Sequence, residues 1–154
     1  MNRMKKLFSI LIVCTMVLSL AACGGKEPQS ATCKIEQNGA QVTMVLDAEG
    51  DKVTKITQTS TLALDSFTDE QKELLKESLN QAAEIYKEIE GVKYTSDVTD
   101  TEISETITIN TDKETLKTVS EKGLLPITGD SDAASLSFSK SKESLKDAGW
   151  TIEE

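Results

Sequence analysis

The stretch that decides the fold is Thr32-Cys33-Lys34-Ile35-Glu36-Gln37-Asn38-Gly39-Ala40-Gln41-Val42-Thr43-Met44-Val45-Leu46. Cys33 and Ile35 alternate with Lys34 and Glu36, and Val42, Met44 and Leu46 alternate after the break. A period of two puts one set of side chains on one face of a strand. Asn38-Gly39 is the strongest two-residue hairpin signal, because both residues tolerate positive φ. Glu49-Gly50-Asp51 marks a second turn. Lys52 to Leu64 follows, rich in β-branched residues, with Val53, Ile56, Leu62 and Leu64 as its apolar members. Thr32–Leu64 therefore reads as a three-stranded antiparallel meander.

C-terminal to the meander, Thr68 with Gln71 three residues later makes a capping box, and Asp69 and Glu70 suit the first-turn dipole. Leu75, Leu79, Ala82, Tyr86 and Ile89 follow helical spacing up to Gly91, so Thr68–Glu90 reads as one amphipathic helix. Ile103, Ile107 and Ile109 alternate in a strand over Thr101–Asn110, with Val92–Val98 as its neighbour. Thr111 and Glu114 form a second capping box before a short helix to about Lys122. Pro126, Gly129, Asp130 and Ser131 mark a loop. Leu136 and Phe138 suggest a short strand, and Ser139 or Ser141 a cap for a last helix carrying Leu145 and Ala148. Trp150 is expected to dock on the core. The expected fold is α+β, a two-layer sandwich. An antiparallel sheet, the meander plus further strands, packs against one long helix and short C-terminal helices.

Toward the N-terminus, Arg3, Lys5 and Lys6 precede an apolar run from Leu7 to Leu20, closed by Ala21 and Ala22. This is the layout of a secretory signal peptide. Fourteen helical residues reach about 21 Å, short of a hydrocarbon core of about 30 Å. Leu20-Ala21-Ala22-Cys23 resembles the lipobox of bacterial lipoproteins. That resemblance implies lipid on the Cys23 thiol and cleavage before it, with Cys14 leaving in the leader. Stable anchoring takes more than one acyl chain. The expected organisation is 1–22 signal peptide, 23–31 lipidated cysteine and flexible tether, and 32–154 a single domain. The expected location is a cell membrane, lipid-anchored and outside the cytoplasm, with the outer membrane open if the host has two.

The chain has 154 residues, 26 acidic and 17 basic, and no histidine. From Cys23 onward there are 14 basic and 26 acidic residues, a net charge of −12. That balance argues against nucleic acid and against adsorption to anionic lipid. Lack of histidine removes His-based triads, ligands and pH switches. With Cys23 lipidated, Cys33 is left alone, so no intramolecular disulfide forms. Cys33 reads as a small buried hydrophobe before it reads as a reactive thiol. Asp47, Glu49 and Asp51 begin like a calcium loop, but Gly50 falls at the fourth position and Gln58 at the twelfth, so a charged hairpin tip is the better reading. No metal set and no cofactor fingerprint is expected.

Asp97, Asp100, Glu102 and Glu105 are the densest acids near a strand. Glu105 shares a strand face with Ile103 and Ile107. It is either a buried acid with a raised pKa, or a binding group, or an edge residue paired with a lysine; the edge is favoured.

Cys23-Gly24-Gly25-Lys26-Glu27, Gly50-Asp51-Lys52-Val53, Gly91-Val92, Thr99-Asp100-Thr101 and Ala148-Gly149-Trp150 occur in this order. Together they resemble the small YehR-like lipoproteins of bacteria. The resemblance implies a two-layer α+β domain and an envelope location, and it brings no catalytic residues. Cys33 departs from the expected pattern. The functional expectation is a membrane-anchored envelope lipoprotein, a non-enzymatic module that binds an envelope protein or a small ligand. A small carboxylate-dependent hydrolase and a structural spacer are the alternatives.

The lipobox reading gives the first test. In the native host, Cys23→Ala should leave the membrane fraction or remain as unprocessed precursor. Normal cleavage and anchoring of that variant, read by fractionation and gel mobility, contradicts lipid attachment at Cys23.

Overall fold

The computed structural model describes residues 18–19, 27–124, 127–128 and 135–154. Cys14, Cys23, Pro126, Gly129, Asp130 and Ser131 lie outside the described residues. The meander consists of β1 (Pro28–Gln37), β2 (Ala40–Glu49) and β3 (Lys52–Ala63). Helix α1 (Asp69–Lys87) leads to a hairpin of β4 (Val92–Val98) and β5 (Glu102–Asn110). Helices α2 (Lys113–Glu121) and α3 (Phe138–Asp147) precede a short β6 (Thr151–Glu153). The six strands form one sheet of order β4-β5-β3-β2-β1-β6, antiparallel at every junction. A two-residue parallel pairing of Leu18–Ser19 with Ile127–Thr128 stands apart from it.

The Asn38-Gly39 turn forms as its residue types require, with φ of 55° and 82°. Alternation sends Ala31, Cys33, Met44, Leu46, Ile56, Ile107 and Ile109 to one face, where Leu116, Val119, Leu136, Phe138 and Leu145 meet them. The helices thus cover a single face, which makes the fold the expected two-layer α+β sandwich. Val53 and Ile56 are three apart yet both buried. A register shift at Asp47/Ala48 absorbs the extra residue as a bulge.

Helix α1 begins at the expected cap. Gln71 N donates to Thr68 Oγ1, and Thr68 N donates to Gln71 Oε1. Leu75, Leu79 and Tyr86 are its buried residues. It ends at Lys87, three residues before the expected Glu90, and Ile89 N bonds to Tyr86 O in a final turn. Gly91, at φ 82°, sits against Thr115, whose Oγ1 would lie 2.2 Å from an added Cβ. The close approach leaves room for glycine alone.

Four further features differ from expectation. Strand β1 starts at Pro28, inside the stretch expected as tether, because Pro28–Ala31 pairs with Leu46–Glu49 and Gly50 N donates to Glu27 O. The cap of α2 is Asp112, not Thr111: Asp112 accepts from Thr115 N, while buried Thr111 donates its hydroxyl to Val53 O. The cap of α3 is Ser137, and Phe138 is helical rather than in a strand. Ser137 is preferred over Ser139 or Ser141 because Asp51 reaches across to hold it, accepting from Ser137 Oγ at 2.7 Å and Ser139 N at 2.8 Å. β6 was not expected; Ile152 follows the buried Trp150 onto the edge of β1.

Leu79 is 1% exposed beneath α1. Leu79→Asp loses that packing and buries an unpaired charge, a cost of at least about 3 kcal/mol. Thermal or denaturant unfolding should show a large loss of stability; a wild-type melting temperature would place α1 off the sheet.

Candidate functional site

The site grows from the alternation of β5. Ile103, Glu105, Ile107 and Ile109 all point to the helix-covered face, and Glu105 is 4% exposed. Strand β5 lies between β4 and β3, so Glu105 is an interior residue and not the edge residue favoured from sequence. Register sets it opposite Ser96 on β4 and Ser60 on β3. Its row therefore carries small hydroxyls on both sides instead of apolar bulk.

Tyr94, diagonal to Glu105 in the hairpin, donates its hydroxyl to Oε2 at 2.9 Å. Tyr86 of α1 stacks on Tyr94, with centroids 5.2 Å apart and planes 14° from parallel. The stack ties the helix to the carboxyl's partner. On the other side, Gln58 Nε2 donates to Ser60 Oγ at 3.4 Å. Glu105 Oε1 is buried and has no hydrogen-bond partner among the described residues. A cavity of about 20 Å³ adjoins it, lined in part by Ser60, Leu62, Leu75 and Ile103. That volume is the size of one water molecule.

Burial pushes the Glu105 carboxyl from 4.5 up to about 7, against a lowering by the Tyr94 hydrogen bond. The Tyr94 phenol is pushed above its ordinary value by burial, by the Glu105 charge and by the bond to Glu105. Tyr86 is raised by burial and then by Glu105. The arrangement favours the neutral carboxyl and brings its protonated and ionised forms into balance near neutral pH. It can store or release one proton.

The other acids singled out from sequence do not join Glu105. Asp97, Asp100 and Glu102 are exposed, and alternation turns Asp97 to the solvent face. Asp47 pairs with Lys55 at 2.9 Å and Asp51 supports the α3 cap, so this hairpin tip serves the fold. Among the described residues no group of three metal-ligating side chains converges. Cys33 is fully buried; burial raises its thiol to about 11, partly offset by the Lys142 charge. It behaves as the small core residue expected. Sequence reading missed the Tyr94–Glu105 pair. The four-residue Thr99–Glu102 turn was its one signal, since it sets the hairpin register.

Raised acid pKa values destabilise the folded state as pH rises. Unfolded Glu105 titrates near 4.5 and folded Glu105 near 7, so the native state holds the extra proton between them. Its contribution is complete below pH 4.5 and is lost as pH climbs through 7, a swing of order 3 kcal/mol. Glu105→Gln should flatten this part of the stability profile and match or exceed wild type at pH 8. An unchanged slope between pH 4.5 and 7 would show that Glu105 is solvated.

Comparison with known proteins is consistent with this architecture. The family described as "Protein of unknown function (DUF1307)" matches residues 29–151. The uncharacterized lipoprotein Lin0239 of Listeria innocua is 31% identical over 150 residues, 97% of each chain. The uncharacterized lipoprotein YehR of Escherichia coli is 27% identical, again over 97% of each. An NMR structure of E. coli YehR superposes with a TM-score of 0.64 at 23% identity, covering 84% of this chain and 93% of that one. An NMR structure of a Streptococcus pneumoniae TIGR4 protein reaches 0.51 at 12% identity, covering 86% of this chain and 90% of that one, a likeness of fold alone. The matched region spans nearly the whole described sheet and its helices: the chain belongs to the DUF1307 family and is similar along its length to the YehR-like lipoproteins.

Proposed function

We propose that this chain is a lipid-anchored protein of the bacterial envelope whose acidic domain works as a binding or interaction module, not as an enzyme. The observation that carries this reading is the closure of the Glu105 site. Its most perturbed acid is 4% exposed and lines, with Leu75, a cavity of about 20 Å³. No substrate larger than water reaches the one described group tuned near neutral pH. Recognition then falls to the surface.

Lipid on Cys23 places the domain outside the cytoplasm. With β1 beginning at Pro28 and Glu27 O already accepting from Gly50 N, the sheet starts within a few residues of Cys23. The domain stands close to the head groups, and its negative charge keeps it from adsorbing to them. The relatives named as lipoproteins support the anchor. Among the described residues no helix is long and apolar enough to cross a membrane.

The solvent face of the sheet is rich in hydroxyls. Thr43, Thr59, Thr106 and Thr95 form one row across four strands, and the Thr59 and Thr106 hydroxyls are 3.1 Å apart. Such a face offers donors and acceptors to an envelope protein or a small polar ligand.

The test compares Glu105→Gln and Cys33→Ser with a deletion strain, scoring growth and envelope integrity. Both variants should match wild type. If either reproduces the deletion while fold, anchoring and abundance are normal, that side chain does chemistry or specific recognition, a purely structural role for it is wrong, and turnover of an envelope substrate by the purified domain, lost in that variant, would defeat the non-enzyme reading.

A further inference from the structure

The sheet ends in two very different edges. At one, β6 is three residues long, and Glu153 pairs with Lys34 at 2.7 Å. A short, charge-tied edge resists further pairing. At the other, β4 runs seven residues, Val92-Lys93-Tyr94-Thr95-Ser96-Asp97-Val98, in unbroken register with β5. It contains no proline, glycine or bulge, and no described strand pairs with its outer side.

The hydrogen-bond phase of β4 is set by the bonds at the two ends of the hairpin. Asn110 N donates to Gly91 O and Thr99 N to Glu102 O, both at 2.9 Å. Antiparallel alternation then turns the odd residues Lys93, Thr95 and Asp97 toward β5 through their backbone groups. The even residues Tyr94, Ser96 and Val98 direct their N–H and C=O groups outward, while Val92 offers its C=O there and donates its N–H to Ile89 O at 3.2 Å. The side chains of Lys93 and Asp97 stand on the solvent face, both exposed, and neither makes an ion pair within the described chain.

These charges select an occupant. Two copies of β4 pair antiparallel about a two-fold axis that passes through one residue. An axis at Lys93 or at Asp97 sets like charges against each other, which is unfavourable. An axis at Tyr94 or Ser96 leaves both charges opposite neutral residues. An axis at Thr95 sets Lys93 opposite Asp97 of the second copy, twice. It also brings Val92 opposite Val98 and Tyr94 opposite Ser96, so that Tyr94 and Ser96 exchange both backbone bonds and Val98 N–H can donate to Val92 O.

We propose that β4 pairs with β4 of a second copy of this chain about a two-fold axis at Thr95, joining two six-stranded sheets into one of twelve. An isologous contact of this kind is self-complementary and closes at the dimer. This goes beyond the functional reading above and rests on β4 alone. Tethering two copies to one membrane raises their local concentration and favours a small contact.

The experiment uses the full chain in its native membrane. At a non-hydrogen-bonded pair the two Thr95 Cα atoms lie about 4.5 Å apart, within disulfide reach. Thr95→Cys should give a dimer on a non-reducing gel after mild copper–phenanthroline oxidation. Thr106→Cys, on the same face but one strand inward, should not. In the Thr95→Cys background, Lys93→Asp should cut the cross-link about tenfold, and adding Asp97→Lys should restore it. These positions are on the surface, and protease resistance of each variant confirms its fold. No dimer with Thr95→Cys, an equal dimer with Thr106→Cys, or indifference to Lys93→Asp overturns the proposal. None of these results touches the anchored-module reading, which is scored by growth and envelope integrity.

Discussion

One face of the sheet must stay dry, and the rest of the domain follows from that. Period-two alternation in β1, β2, β3 and β5 delivers a continuous apolar surface, and three helices are laid on it. Helix α1 covers the β4–β5 hairpin through Leu75, Leu79 and Tyr86. A charge in that layer is largely cut off from solvent and must be neutralised, paired or hydrogen-bonded. Glu105 is the one described carboxyl placed there. Protonation, the Tyr94 hydroxyl and a water-sized space make its burial tolerable.

The elements readable from sequence were those whose signals are local. Asn38-Gly39 sets its own turn, and Thr68 and Gln71 cap α1 from three residues apart. The alternation of Met44, Leu46, Ile107 and Ile109 shows which face is buried without knowing the partner strand. What could not be read depends on residues distant in the chain. Pro28–Ala31 looks like tether because its polar composition is balanced only by pairing with β2. Ser137 wins the α3 cap through Asp51, 86 residues away. Glu105 is buried rather than at an edge because β3 lies beside β5, and strand order leaves no mark on a local pattern. Cys33 read correctly as core because a small apolar residue alternating with Lys34 has one natural place.

The division between inside and outside also organises function. The groups whose pKa is raised, Glu105, Tyr86, Cys33 and the half-buried Tyr94, lie on the covered side of the sheet. The exterior holds threonine rows, acidic charge and an unprotected strand edge. The buried carboxyl makes the stability of the domain sensitive to pH.

The most direct test of this account is a carbon-13 NMR titration of the Glu105 side-chain carboxyl in the folded protein. The account requires a midpoint near 7, well above the ordinary 4.5, with the Tyr94 ring signals shifting at the same midpoint. A midpoint near 4.5 would mean that water reaches the carboxyl, and that the covered face of the sheet is neither dry nor closed.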